Sequence, residues 1–198
     1  MNQNIETMKY KGLGEITKFI EGQDEPSWVS ALRKKAYEVY SGQGWPTTED
    51  EEWRRSDISM YDFEDLAFEP ATATEGEELE ENDEYAGEIR FSNTGEVGTF
   101  LREDLKEQGV VFGSWKRLFA EGMSPEVQQK FEALLARGID KCDNKVATWH
   151  YAVITHGVFL HVPKFVEIDE PFVIRFHESG DETLRAPHIA VSLETGAR

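Results

Sequence analysis

The stretch GVFLHVP at residues 157–163 marks the point at which the sequence changes from helical spacing to short strand-like runs. Runs of β-branched and aromatic residues occur at 158–162, 172–176 and 188–193, and prolines and glycines bound them. They recur at roughly 14–16 residue intervals without intervening helices, which predicts a repetitive β-architecture. A sandwich, a cupin-like roll and a β-helix all fit this pattern, and the spacing alone does not choose among them.

Upstream of this stretch the N-terminal sequence predicts helices. Residues 24–41 start with an aspartate cap and a first-turn proline, and apolar residues then recur at intervals of three and four. Thr48 and Glu51 form a capping-box pattern, which predicts a short second helix. We expect the tryptophans of this region to pack in a core; they are Trp28, Trp45 and Trp53.

Two further helices are predicted directly before the strand-like runs. A serine–proline pair at 124–125 begins the first, which we expect Gly138 to end. Asp143 or Asn144 caps the second, for which Gly157 supplies the stop. The sequence therefore predicts a helical region that leads into a β-rich region.

An acidic segment at residues 69–86 lies between the N-terminal helices and the next predicted strands. Its like charges repel one another, and it has no EF-hand pattern, so we expect a solvated linker or insertion there. The turn signal NTG at 93–95 and a helical turn at 115–119 follow it. Short strands are predicted at 88–91, 97–100 and 109–112.

The charge and cysteine content narrow the class of protein. The chain of 198 residues has 39 acidic and 21 basic residues and a net charge of −18. Residues 47–88 hold 17 of the acidic residues and two of the basic ones, and this balance disfavours nucleic acid and anionic membranes as partners. A single cysteine, Cys142, permits no internal disulfide, and the N-terminus has no signal-peptide pattern. A cytoplasmic location is therefore expected.

The sequence carries no recognisable catalytic or metal-binding motif. No His-x-His pair, His-Glu-x-x-His helix, nucleophile elbow or phosphate-binding loop occurs. Cys142 has no positional hint of a histidine partner. We therefore predict no catalytic, cofactor-binding or metal-binding residue in the chain and no enzymatic activity. The residues considered for a metal or acid–base role are the five histidines, His150, His156, His161, His177 and His188.

Two groups of motifs resemble the SufD branch of the SufB/SufD family of iron–sulfur cluster assembly scaffolds. The first group lies in the helical region and consists of EPSWV at 25–29, LR at 32–33, WPT at 45–47, DEEWR at 50–54 and SDIS at 56–59. The second group consists of GVFLHVPK at 157–164, EP at 170–171, PHIAV at 187–191 and ETGA at 194–197. The tryptophan-containing motifs favour SufD over SufB.

The resemblance implies an α+β fold in which an N-terminal helical region precedes a right-handed parallel β-helix. It also implies a non-catalytic scaffold that pairs with a SufB-like subunit and associates with a SufC-like ABC-type ATPase. The iron–sulfur cluster would reside transiently on the full complex, and this chain would bind no cofactor. None of the family's functional positions can be mapped onto this chain.

The expected organisation has four parts, which are a helical region at 1–68, the acidic segment at 69–86, a mixed strand and helix region at 87–156, and the first rungs of a β-helix at 157–198. Because the chain stops one turn after a strand, we expect this β-helix to be incomplete, so that the chain is an N-terminal fragment. Two alternatives remain open. One is a metal-dependent cupin-like enzyme that uses His156, His161, His177 and His188, and the other is an acidic protein-interaction module.

Overall fold

A computed structural model describes residues 10–63, 66–69, 76–177 and 183–198, and it has a mixed α+β architecture with helices and sheets. The chain forms two compact units from interleaved parts. The first unit contains the described residues up to Glu69, Leu135–Thr155 and 183–186. The second contains 76–134, 156–177 and Pro187–Arg198.

The first unit is mainly helical. Its helices are α1 (Ile16–Glu21), α2 (Ser27–Ser41), the last turns of α5 (Pro125–Asp140) and α6 (Lys145–Val153). A small sheet has the order β1 (Tyr10–Lys11), β2 (Ala67–Phe68) and β9 (Thr183–Leu184). Apolar side chains spaced along α1, α2 and α6 meet in one core, as their helical periodicity requires. The buried members are Ile16, Phe19, Ile20, Ala36, Tyr40, Phe68, Ile139, Trp149, Ala152, Val153 and Ala186.

A buried arginine joins α2 to the end of α6. Arg33 is 5% exposed, and its Nε lies 3.0 Å from both carboxylate oxygens of Glu25. Its Nη1 donates to the carbonyl oxygens of Ala152 at 3.3 Å and Ile154 at 3.0 Å. The last carbonyl groups of a helix have no partner within the helix. Arg33 therefore neutralises a buried carboxylate and satisfies the C-terminal end of α6 at the same time.

The second unit contains two sheets and the first half of α5. One sheet has the order β3 (Glu77–Glu78), β5 (Gly95–Leu101), β4 (Gly87–Ser92) and β8 (Phe172–Phe176). The other has the order β10 (Pro187–Leu193), β7 (His156–Val162) and β6 (Val111–Ser114). Two short helices, α3 (Glu103–Glu107) and α4 (Trp115–Glu121), lie on either side of β6 in the chain.

Aromatic packing fills the space between α4, α5 and β7. The Phe131 ring of α5 stacks on Phe159 of β7 at a centroid distance of 4.2 Å and meets the edge of Trp115 at 5.2 Å. Gly157 permits this arrangement, because a Cβ atom there would lie 2.1 Å from Cδ2 of Trp115. The glycine that the sequence suggests as a helix stop therefore lies inside a strand, where an aromatic ring covers its backbone.

The structure confirms most of the predicted elements and corrects five details. Two concern helix ends: α2 begins at Ser27 directly after Pro26, so Asp24 does not cap it, and Gly157 lies inside β7 and does not end α6. The predicted strands and the helix capped by Asn144 are present, with Asn144 accepting a hydrogen bond from the Ala147 amide at 2.9 Å. The short helix predicted from the Thr48 and Glu51 pattern is wrong, because successive turns occupy that segment. Helix α5 continues past Gly138, and helix α1 was not predicted.

Local contacts explain two of these differences, the missing short helix and the continuation of α5 past Gly138. The Asp50 carboxylate accepts a hydrogen bond from the Thr47 amide at 2.8 Å, so it closes a turn in place of a capping box. Gly138 is needed for close packing rather than for a helix end, since a Cβ atom there would lie 2.1 Å from the hydroxyl oxygen of Tyr151. The Thr48–Glu51 pattern and Gly138 both fit a helix boundary locally, but neither marks one in the folded chain.

The acidic segment is attached to the second unit over a short length. Strand β3 pairs in parallel with β5, and the Leu79 amide donates to the Thr99 carbonyl at 3.0 Å. The Arg117 guanidinium donates to the Gly76 carbonyl at 3.0 Å. Residues 70–75 of the predicted linker lie outside the described residues.

A charged cluster links the neighbouring strands β4 and β8. The Glu88 carboxylate is 3% exposed, and its Oε1 accepts from Arg90 Nε and from Arg175 Nε at 2.7 Å each. The hydrogen bond from Arg90, reinforced by the one from Arg175, holds the pKa of Glu88 below its ordinary value of 4.5 although burial opposes this shift. The ionised carboxylate is therefore the form that the folded sheet favours.

We expect replacement of Arg33 by methionine to destabilise the chain by about 3–5 kcal/mol, because it leaves the Glu25 carboxylate buried without a counter-charge. The matched control is Arg54→Met. Arg54 pairs with Glu51 at 3.4 Å, and their side chains are 61% and 81% exposed, so this loss should stay below about 1 kcal/mol. Urea unfolding followed by circular dichroism measures both values. Equal losses in the two variants would contradict the assigned role of Arg33.

The Glu88 cluster predicts a specific acid sensitivity. Since the folded-state pKa of Glu88 is lowered, its contribution to stability is present above the unfolded-state pKa and is lost as the pH falls through the folded-state value. The free energy of unfolding should therefore fall less between about pH 6 and about pH 3 in Glu88→Gln than in the parent chain. Glu103→Gln removes an exposed carboxylate that pairs with Lys106 at 3.0 Å. It is the control and should change the acid-induced loss of stability less than Glu88→Gln does. If the free energy of unfolding of Glu88→Gln fell with decreasing pH as much as that of the parent chain, this assignment would be refuted.

Candidate functional site

Strand β10 presents an open sheet edge in the described part of the chain. It pairs in parallel with β7 from Pro187↔His156 to Leu193↔Val162, and it forms the end of the order β10-β7-β6. An edge strand offers unpaired backbone N–H and C=O groups on its outer side. The exposed apolar side chains of β10 alternate along the strand and are Ile189 (49%), Val191 (45%) and Leu193 (58%).

The intervening side chains of β10 face the interior. Ala190 is buried, and the His188 ring lies 5.7 Å from Trp115 between ring centroids. Because successive side chains of a strand point to opposite faces, this packing fixes which residues are displayed. The register of β10 therefore places its three large aliphatic side chains outside.

The pairing continues beyond the two strands. The Glu194 amide donates to the Val162 carbonyl at 3.0 Å, and the Phe165 amide donates to the Thr195 carbonyl at 3.2 Å. Further along the chain, the Arg198 amide donates to the Val166 carbonyl at 3.1 Å. Two successive passes of the chain thus lie side by side through the turn as well as through the strands.

Two residues in the left-handed region shape this turn. Phe165 has φ 61° although it is not glycine, and Gly196 has φ 74°. A Cβ atom on Gly196 would lie 2.6 Å from Cδ1 of Phe165, so only glycine lets the second pass follow the first this closely. The Phe165 side chain is 74% exposed and adds to the apolar character of this end of the sheet.

An ionic cluster fixes the end of β10. The Lys130 ammonium of α5 contacts both Glu126, at 2.7 Å, and Glu194. The hydrogen bond from Lys130 holds the pKa of Glu194 below its usual value. The His161 ring is 2% exposed, and its Nε2 lies 3.5 Å from Glu194 Oε1. Burial and the neighbouring Lys130 charge lower the pKa of His161, which favours the neutral ring.

Among the described residues the histidines form no group that could hold a metal ion. His156 and His161 are buried in β7, where His156 Nε2 lies 3.3 Å from the Ser92 carbonyl oxygen and His161 Nδ1 lies 3.4 Å from Ser192 Oγ. His177 is exposed. Burial and the Arg33 charge lower the pKa of His150. These contacts are those of packed or surface histidines.

Cys142 lies at the end of α5 in a setting that suppresses thiolate formation. Its Sγ donates to the Gly138 carbonyl at 3.4 Å. Partial burial, and then the Asp143 charge, raise the pKa of the thiol. A cysteine with a raised pKa is a poor nucleophile.

Neither a metal-binding group nor a membrane-spanning helix occurs among the residues that the structure describes. Among those residues no three His, Cys, Asp or Glu side chains form a group that could hold a metal ion. Within the same ranges no helix has both the length and the apolar character needed to cross a bilayer.

The open edge of β10 should promote self-association of the 198-residue chain. Replacing Ile189 and Val191 together by lysine places two charges along the edge, which disfavours edge-to-edge pairing. We expect the dissociation constant for self-association to rise by at least about tenfold. Light scattering after size-exclusion chromatography over a concentration series measures this shift.

The control for this prediction is Val97→Lys. Val97 is 48% exposed and lies on β5, which has strands on both sides. An equal loss of self-association in this variant would show that charge alone is responsible.

Comparison with known proteins identifies the family. The family model described as "SufBD protein N-terminal region" matches residues 7–174 of the chain. An iron–sulfur cluster assembly SufBD family protein of Staphylococcus epidermidis (strain RP62A) is 24% identical over 208 residues, which cover 94% of this chain and 42% of the relative. The iron–sulfur cluster assembly protein SufD of Bacillus subtilis (strain 168) is 25% identical over 181 residues, which cover 85% of this chain and 39% of that protein.

A further relative, a SufBD family protein of Synechocystis (strain PCC 6803), is 24% identical over 212 residues, covering 94% of this chain and 42% of the relative. The chain thus spans about two fifths of the length of these relatives. No solved structure matches it significantly. Because the family description covers most of the sequence, the chain belongs to the SufB/SufD family of iron–sulfur cluster assembly proteins and corresponds to the N-terminal region of that family.

Proposed function

We propose that this chain is the N-terminal part of a non-catalytic scaffold subunit of the SufD type, which pairs with a SufB-like subunit and associates with a SufC-like ATPase in the cytoplasm. The observation that carries the proposal is the parallel pairing of β7 with β10, together with the family assignment. The iron–sulfur cluster is cargo of the full assembly in this proposal, and no residue of this chain holds it.

The pairing of β7 with β10 supports a parallel β-helix as the core of the whole subunit. Residues paired across the two strands are 31 positions apart in the chain, as for His161 and Ser192. In a solenoid each coil contacts only its neighbours, so a coil without a successor leaves a free edge. The open edge of β10 and its three exposed aliphatic side chains fit a surface on which another coil stacks.

The side-chain chemistry favours a scaffold over an enzyme. Among the described residues no three His, Cys, Asp or Glu side chains form a metal-binding group, and burial raises the pKa of the Cys142 thiol. The buried charges of the second unit are engaged by partners, with Glu96 accepting from both Ser114 and Arg117. Such pairs fix strand and helix positions rather than activate a nucleophile.

The experiment places an affinity tag at the N-terminus of the protein encoded by its own gene, at its own locus. Whatever product the gene makes is purified and weighed by native mass spectrometry. The proposal predicts SufB-like and SufC-like subunits in fixed stoichiometry with the tagged protein. The proposal would be overturned if the tagged protein were purified with either the SufB-like or the SufC-like subunit missing.

A variant with lysine at both Ile189 and Val191 tests the role of the β10 edge in the same purification. We expect the yield of the complex to fall at least about tenfold, because two charges would lie where a coil has to stack. Val97→Lys, which adds one charge on a strand that is paired on both sides, is the control and should retain the complex. A full yield of complex from the edge variant would contradict stacking on β10.

A further inference from the structure

A cleft in the first unit has no role in the function proposed above. It has a volume of about 520 Å³, which is within the usual range for ligand-binding clefts. One wall comes from residues 43–46 and 50–53, which follow α2, and the other comes from Asp143, Asn144 and Lys145 at the start of α6. Trp45 and Trp53 both line it.

The wall of the cleft is held firmly in place. Trp45 stacks on Phe63 at a centroid distance of 4.3 Å, and Phe63 meets the edge of Trp149 at 5.7 Å. The Thr148 hydroxyl donates to the Gln43 side-chain oxygen at 2.8 Å. These contacts fix the Trp45 side of the cleft to the core of the unit.

The ammonium group of Lys145 lies against aromatic rings at one end of this cleft. The Lys145 Nζ lies 4.3 Å from the centroid of the Tyr40 ring and 5.5 Å from that of Trp45. It also donates to the Gln43 carbonyl at 2.8 Å. A cation over an aromatic face is attracted by the electrons of the ring. The local surroundings are therefore compatible with positive charge, even with one lysine in place.

The outer part of the cleft offers a second aromatic surface and an excess of negative charge. Within the described part of the chain, Trp53 stacks on no other ring and Glu52 forms neither a hydrogen bond nor an ion pair. Among the described residues, Glu51 contacts the exposed Arg54 at 3.4 Å. The two aspartates each keep a local contact, since Asp143 accepts from Asn144 Nδ2 at 2.9 Å and Asp50 accepts from the Thr47 amide. The lining includes one cation, Lys145, and four carboxylates, which belong to Asp50, Glu51, Glu52 and Asp143.

We propose that this cleft binds an arginine-bearing segment of a basic partner peptide, with a guanidinium against Trp53 and paired with Glu52 and Asp143. Arginine fits better than lysine, because its planar guanidinium stacks on an indole and donates to carboxylates at the same time. The negative charge is spread along the rim, which suits an extended segment with several cations more than one small ion. This site is separate from the β10 edge in sequence and in chemistry.

Isothermal titration of the 198-residue chain with the peptide acetyl-Gly-Arg-Gly-Arg-Gly-amide tests the proposal. We expect one peptide to bind per chain and the tryptophan fluorescence to change in parallel. The same peptide with citrulline in place of arginine keeps the shape and loses the charge, so it should bind at least about tenfold more weakly. Equal binding of the two peptides would overturn the proposal.

Two variants locate the binding. Trp53→Leu removes the aromatic face and should weaken binding about tenfold, and the pair Glu52→Gln with Asp143→Asn should do the same. The control pair Glu80→Gln with Glu81→Gln makes the same change in net charge at exposed positions outside the cleft. This control should change the affinity less than about twofold.

Three results would refute the site. Equal weakening in the control pair would mean non-specific attraction to a chain of net charge −18. Unchanged binding in both cleft variants, each with a cooperative melt as proof of folding, would place the peptide elsewhere. Spermidine binding that depends on Trp53, without binding of the arginine peptide, would show a site for a small organic cation instead.

Discussion

Strand β7 is paired on both sides, antiparallel with β6 and parallel with β10, and the order of the second unit depends on this double pairing. A slip of one residue between β7 and β10 would turn Ala190 outward and Ile189 inward, since strand side chains alternate. The register is held at the far end by the Lys130–Glu194 contact and by the close approach of Gly196 to Phe165. The exposed aliphatic face of β10 is thus a consequence of the register, and the register is fixed by contacts on both sides of the turn.

In each unit a buried charged side chain links neighbouring elements. Arg33 joins a carboxylate to the end of a helix in the first unit, and Glu88 joins two guanidiniums across neighbouring strands in the second. Such pairs add little net stability compared with apolar residues, but breaking one is costly because it leaves a charge buried alone. They therefore favour the arrangement of each unit in which Arg33 and Glu88 keep their partners.

The sequence carried enough information for the strands and for the longer helices, because period-two runs and repeated three- and four-residue spacing are local signals. It failed at Thr48, where Asp50 captures a neighbouring amide, and at α1, whose six residues are too few to show a period. The residue pattern of a strand does not show which other strand it pairs with. The pairing of β7 with β10 could therefore be expected only through the family resemblance. The cleft was likewise out of reach, since Gln43 meets Lys145 across 102 positions of the chain.

The most direct test of the account is hydrogen–deuterium exchange at β10, compared between the isolated 198-residue chain and the complex purified through the N-terminal tag. In the isolated chain β7 is already paired on both sides, whereas β10 is paired on one side only among the described strands. We expect exchange to slow at 187–193 in the complex and to stay the same at 156–162. Unchanged exchange at 187–193 in a complex that contains the SufB-like and SufC-like subunits would contradict the claim that β10 is where the scaffold continues.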